Sequence, residues 1–170
     1  MLELRLPNSA DEAMLRAAYS ELSNEGHEGF LLDGFQDDPQ DYDGWLRRVH
    51  DHAQGLNLLE GKVQATFLVA VADSEIVGRI SIRHELNDFL FNFGGHIGYM
   101  VRPLHRRQGH ATEMLRQALE IAGSLGLKKV LLTCNDDNAG SIAVIESQGG
   151  VLENVVDETG KALCRYWITL

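Results

Sequence analysis

His96-Ile97-Gly98-Tyr99-Met100-Val101-Arg102-Pro103-Leu104-His105-Arg106-Arg107-Gln108-Gly109-His110-Ala111-Thr112 reads as a strand that gives way to a helix. Ile97, Tyr99 and Val101 alternate with His96, Gly98 and Met100 at the two-residue period of a strand. Pro103 has no N–H to give to a ladder and closes it. Beyond Gly109, apolar Met114, Leu115, Ala118, Leu119 and Ala122 recur at helical spacing, so Gln108 to Thr112 is predicted as the first turn of a helix.

A helix start leaves about four N–H groups unpartnered and carries roughly half a positive charge, which makes it a ready anion site. Gly109 permits close approach to the backbone, Ala111 keeps the next outward position small, and Arg106 and Arg107 add charged donors at the rim. The turn reads as a pyrophosphate cradle. Neither Gly-x-x-x-x-Gly-Lys-[Ser/Thr] nor Gly-x-Gly-x-x-Gly is present, so a nucleotide triphosphatase and a dinucleotide fold are not indicated.

To the N-terminal side, Leu2, Leu4 and Leu6 alternate with charged residues up to Pro7, and a helix capped by Asn8 or Ser9 runs through Met14, Leu15, Ala18 and Leu22 to Gly26. Residues 30–43 read as a loop, and Tyr42 to Leu56 as a second helix. His50 and His52 stand two apart on it, hence on different faces, which argues against a metal site. Residues 63–72 and 75–83 form two antiparallel strands about a short turn. Asn87 to Gly95 is a loop whose Phe89, Phe91 and Phe93 either cover a pocket or close the core, and the core is the expectation, aromatic rings being core-formers first.

To the C-terminal side, Lys128 to Cys134 is another buried strand, Asn138 leads a short helix closed by Gly149 and Gly150, and two strands form a closing hairpin around Asp157 to Lys161. No repeat or linker interrupts the chain. The pattern predicts one α/β (α+β) domain over residues 1–170, a mixed sheet with helices on both faces.

Composition narrows the function. The net charge is −10. Residues 1–60 hold 13 acidic against 4 basic side chains, a balance of −9, so the acid lies at the front. Nucleic acid is a poor partner for such a chain. No apolar run approaches bilayer-spanning length and no secretory signal is present, which predicts a cytoplasmic protein with no membrane partner. Cys134 and Cys164 are too few for a disulfide framework or a zinc cluster, so no metal is expected.

Arg106-x-x-Gly109-x-Ala111, after a strand and opening a helix, resembles the acetyl-CoA signature [Arg/Gln]-x-x-Gly-x-[Gly/Ala] of the GNAT N-acetyltransferase superfamily. Leu132 to Ser141 resembles the second signature of that family, in which an asparagine after the following strand contacts the pantetheine arm. The order of elements is similar over essentially the whole chain. The resemblance implies a GNAT-like acyl-CoA N-acyltransferase fold, a mostly antiparallel sheet of about seven strands flanked by about four helices. It further implies a bulge in the strand ending near Val101, which splays from the strand ending near Thr133 and leaves backbone groups of Met100 and Val101 free for the cofactor.

By the same resemblance Met100, Val101, Arg106, Arg107, Gln108, Gly109, His110, Ala111 and Thr112 line the acetyl-CoA site, with Asn138 and Ser141 beside it. The implied reaction is direct transfer of acetyl to a primary amine in a ternary complex, with Glu85 and His96 as candidate bases. Many members carry a tyrosine on the short helix to protonate the leaving thiolate. Here that position is Ile145, which leaves solvent, Tyr166 or Cys134 as proton source, or a non-catalytic acetyl-CoA-binding module as the alternative. A phosphate-binding α/β protein unrelated to the family is disfavoured by the second signature. The acidic front leans towards cationic acceptors, and the resemblance implies a homodimer through terminal strands.

Overall fold

The computed structural model describes residues 1–170. In chain order they form β1 (Glu3–Arg5), α1 (Glu12–Asn24), α2 (Tyr42–Ala53), β2 (Ala65–Ala72), β3 (Glu75–Arg83), β4 (Ile97–Val101), α3 (His110–Ser124), β5 (Lys129–Asn135), α4 (Ala139–Ser147), β6 (Val151–Glu158) and β7 (Lys161–Thr169). Four helices and seven strands match the expected count. No helix is long and apolar enough to cross a membrane.

The continuous mixed sheet does not form. Instead two wholly antiparallel sheets, β1-β2-β3-β4 and β5-β7-β6, meet at β4 and β5. The strand backbones are pinned together at one point, where the His96 N–H donates to the Leu131 carbonyl at 2.7 Å and the Leu131 N–H donates to His96 Nδ1 at 2.9 Å. Gly95 makes that contact possible. Its φ is +68°, and a Cβ there would sit 2.6 Å from the Leu131 carbonyl oxygen. Beyond this pin the two strands part.

Strand alternation builds two cores on the first sheet. Phe67 and Val69 of β2 face α1 and α2, where they meet Leu15, Ala18, Leu22, Trp45 and Val49. Leu68, Ala70 and Ala72 face the opposite way, into a larger cluster with Met114, Leu115, Ala118 and Ala122 of α3. The second sheet adds Val130, Leu132, Cys134, Cys164, Tyr166 and Ile168 to that larger cluster. Both cysteines are thus buried, free and opposite one another across β5 and β7.

Two local expectations change. The loop of phenylalanines winds into a π-helical turn, Leu90–Gly94, which buries Leu90 and leaves Phe89 59% and Phe91 48% exposed. None of the three rings joins the core, because the wide turn aims Leu90 inward in their place, while half-buried Phe93 lines the gap where β4 and β5 part. β4 also carries no bulge. It pairs with β3 in unbroken register from Ile97 opposite Ile82 to Val101 opposite Gly78, and its other edge is free because β5 diverges.

Candidate active site

The parting of β4 from β5 opens a cleft of about 340 Å³ lined by Ile97, Gly98, Tyr99, Thr133, Cys134, Asn138, Ser141 and Glu158, among others. Hydrogen-bond parity fixes which backbone groups face it. Arg83 N–H donates to the His96 carbonyl and Arg102 N–H to the Val77 carbonyl, so even-numbered residues of β4 bond to β3. Tyr99 and Val101 turn their N–H and C=O to the free edge, whereas those of Met100 are used by Arg79. The expectation that Met100 offers its backbone is therefore corrected to Tyr99. Val101 keeps its place, and its carbonyl accepts from Arg106 Nε at 3.2 Å.

The free edge of β4 leads to the turn before α3. Arg107 (φ +62°) and Gly109 (φ +81°) are both left-handed, and no side chain caps the helix. Glu113 N–H returns to the Gly109 carbonyl at 3.1 Å, which leaves the N–H groups of His110, Ala111 and Thr112 to point out of the helix end. Nothing lies within 4 Å of where a Gly109 Cβ would stand. Arg106, Arg107 and Gln108 are exposed around this opening. Arg106 pairs with Glu25 at 2.7 Å, and Gln108 Nε2 donates to the Leu104 carbonyl at 3.1 Å. The acid in this first turn, Glu113, is bound by Arg116 and Gln117, and these hydrogen bonds hold its carboxyl down at about 2.

On the far wall Asn138 caps α4, its Oδ1 accepting from Ser141 N–H at 3.0 Å. The Tyr99 hydroxyl is buried without a hydrogen bond of good geometry, and Ser141 is the neighbouring group placed to pair with it. Burial pushes this phenol above its ordinary pKa. Ile145 of α4 is fully buried and supplies no hydroxyl. Of the other proton sources, Tyr166 lies outside the cleft, where it donates to Glu146 at 3.2 Å, and is pushed up to about 12 by burial, then by Glu146. Cys134 lines the cleft, and burial, which pushes it up to about 11, keeps it a protonated thiol there.

The two candidate bases fall in different places. Glu85 is exposed in a bend beyond β3 and does not line the cleft. His96 is buried, accepts the Leu131 N–H on Nδ1, and is pushed down to about 4 by burial and then by Arg83. Its neutral ring consequently carries the proton on Nε2 and has no lone pair left to receive one. Glu158, at the end of β6, is the only carboxylate that lines the cleft. Sequence reading missed Glu158 because the β6–β7 register alone brings it there. Tyr99 was within reach, since its alternation with Gly98 already set its face.

A sequence model of the GNAT acetyltransferase domain matches residues 1–151. No curated protein matches the chain in sequence. Among solved structures, the microcin C7 self-immunity acetyltransferase MccE, in complex with acetyl-CoA and AMP, is similar at 19% identity. That match covers 99% of this chain and 92% of that one, with a TM-score of 0.73. Mycobacterium smegmatis RimJ in complex with CoA-disulfide matches at 19% identity over 99% and 81% of the two chains, TM-score 0.73. The spermidine/spermine N-acetyltransferase SpeG of Vibrio cholerae matches at 17% identity over 99% and 95%, TM-score 0.65.

Proposed function

The chain belongs to the GNAT acetyltransferase family, and we propose that it moves an acetyl group from acetyl-CoA to the primary amine of a small molecule or an exposed amino group, directly within a ternary complex. The observation that carries this reading is the continuity of one free surface. The uncapped start of α3 runs into the free edge of β4, and that edge runs into a cleft with a carboxylate and an unpartnered hydroxyl.

The residues fit an acyl-CoA chemically. Outward N–H groups at His110, Ala111 and Thr112, with Arg106, Arg107 and Gln108 around Gly109, suit a pyrophosphate. The Val101 edge suits an amide-bearing arm that adds to β4 as a strand would, and Asn138 keeps its side-chain N–H₂ as a donor beside it. Acetyl-CoA would supply an activated thioester.

The remaining chemistry is assigned to the chain's own groups. Glu158 removes a proton from the acceptor ammonium, which cannot attack while protonated. The Tyr99 N–H donates to the carbonyl oxygen as charge gathers there. The Tyr99 hydroxyl, which burial keeps protonated, gives its proton to the departing sulfur, the role that Ile145 cannot fill. His96 acts as a positioning residue that pins β4 to β5 and so holds the cleft open beyond it.

Calorimetry with acetyl-CoA, followed by CoA release across a panel of primary amines, tests the proposal. Binding with amine-dependent release is expected. Binding without release under any amine would favour the non-catalytic module, and absence of binding would overturn the reading. The exposed Val151, Leu152 and Val155 on edge strand β6 support a homodimer through that strand.

A further inference from the structure

Two arginines of β3 converge on Gly98, a residue that lines the cleft. A Cβ on Gly98 would lie 3.3 Å from Arg83 Nη1 and 3.9 Å from Arg79 Nη1, so these guanidinium groups stand next to a residue of the cleft wall that has no side chain to screen them. They are not equivalent. Arg79 is buried and its donors are engaged by the carbonyls of Phe30 at 3.0 Å, Gly98 at 3.1 Å and Gly29 at 2.6 Å. Arg83 is half-buried and forms neither a hydrogen bond from its guanidinium nor an ion pair.

The carboxylate that favours Arg83's charge, Asp33, is bound to His52 Nδ1 at 2.9 Å and does not come within ion-pair distance of Arg83. Burial works against the charge of both arginines, and Arg83 adds repulsion to Arg79. A half-buried guanidinium without a partner is costly, and a bound carboxylate would remove that cost through a two-pronged pair. Glu158 supplies the opposite charge in the cleft that Gly98 lines.

We propose that Arg83 is the recognition site for a carboxylate on the acceptor, so that the chain acetylates small zwitterionic amines of amino-acid type. The acceptor would set its carboxylate on Arg83 past Gly98 and its ammonium toward Glu158. This rests on the transferase reading above and adds the substrate class. In the step itself the C–N bond forms and the C–S bond breaks. One ammonium proton passes to Glu158, the sulfur takes the Tyr99 proton, and the second proton lost from nitrogen restores Tyr99, so that one proton is released to solvent per turnover.

The test measures initial rates of CoA release at saturating acetyl-CoA with the twenty amino acids, their α-amides and spermidine, alongside calorimetric binding of acetyl-CoA. Wild type is expected to favour at least one acid over its amide by on the order of 100-fold in kcat/KM. In Arg83→Gln that acid-to-amide ratio should fall toward one, with Arg83→Lys restoring part of it and acetyl-CoA affinity kept within about twofold. The wild-type ratio decides the matter even if a variant fails to fold. The inference is overturned if amides or spermidine are used as well as the acids, if Arg83→Gln lowers acid and amide alike, or if acetyl-CoA binds and nothing in the panel is acetylated. Failure to bind acetyl-CoA would instead overturn the transferase reading.

Discussion

Gly109→Trp separates the anion cradle from a mere tight turn. The residue has φ +81°, a conformation that costs an L-amino acid about 1–2 kcal/mol. Space is not limiting, since nothing stands within 4 Å of the Cβ position. The fold should therefore survive with a melting temperature lower by about 2–8 °C, at roughly 2–4 °C per kcal/mol for a chain of this size. The indole, however, must occupy the opening onto which the first-turn N–H groups of α3 point. Losing two charge-assisted hydrogen bonds at about 1.5–3 kcal/mol each weakens acetyl-CoA binding by roughly 10²- to 10⁴-fold. Gly109→Ala carries the same backbone strain with little bulk, so it should melt like the tryptophan variant while losing less than about tenfold in affinity. Calorimetry and thermal melts on the three proteins read both quantities. A folded tryptophan variant that binds within about threefold of wild type would refute the cradle, and equal affinity losses in both variants would show that strain matters and occlusion does not.

Tyr99→Phe removes an unpartnered buried hydroxyl, so stability should hold or rise slightly, while kcat should fall by roughly 10- to 100-fold at unchanged acetyl-CoA affinity; an unchanged kcat would exclude Tyr99 as proton donor. Arg79→Met strips the carbonyls of buried Phe30 and half-buried Gly29 of their donors, at about 1–3 kcal/mol for the Phe30 carbonyl, which should appear as a lower urea midpoint; a midpoint within error of wild type would contradict this accounting. His96 gives a pH signature. Its folded pKa of about 4 lies below the ordinary 6.5, so as pH falls through that window the unfolded chain takes up the proton while the folded chain resists. His96 therefore contributes stability in full above about 6.5, and that contribution drains away toward pH 4. His96→Asn keeps an acceptor near the Leu131 N–H without titrating, so its difference curve against wild type should flatten over that range, and parallel curves would argue against the pin.

The stretch from Ile97 to Thr112 was legible because its two periodicities meet at a proline and a glycine, and each of those residues has one strong local meaning. Helical spacing in α3 likewise marked Met114, Leu115, Ala118 and Ala122, which lie in the larger core. What was not legible depends on long-range pairing. Nothing local to His96 says that its ring will accept Leu131's N–H, 35 residues away, and thereby end the contact between two sheets. The same holds for Glu158, which reaches the cleft only through the β6–β7 register, and for Arg83, whose neighbours in sequence do not reveal that its guanidinium meets Gly98. The phenylalanines misled because a π-turn places successive side chains on faces that neither helical nor strand spacing anticipates.

Charge illustrates why composition alone says little about the acceptor. The front of the chain holds most of the excess acid, yet five of its 13 acidic side chains are engaged in bracing. Asp11 pairs with Arg5, Glu12 with Arg16 and Asp33 with His52, while Glu21 and Glu25 of the α1 end reach Arg102 and Arg106 on either side of the turn after β4. Exposed charges are screened over about 8 Å at physiological ionic strength, so the unpaired remainder acts weakly inside a cleft. There the field is set by groups with little water around them, and near Gly98 those are Arg79 and Arg83. The Glu25–Arg106 pair has a different consequence. Being exposed, it contributes no more than about 1 kcal/mol, so a phosphate arriving at Gly109 can displace Glu25 at little cost and take over an arginine already held at the rim of the cradle. An acidic chain can thus present cationic sites to an anionic co-substrate and to a carboxylate acceptor, because net charge counts side chains whereas binding depends on which of them lack partners.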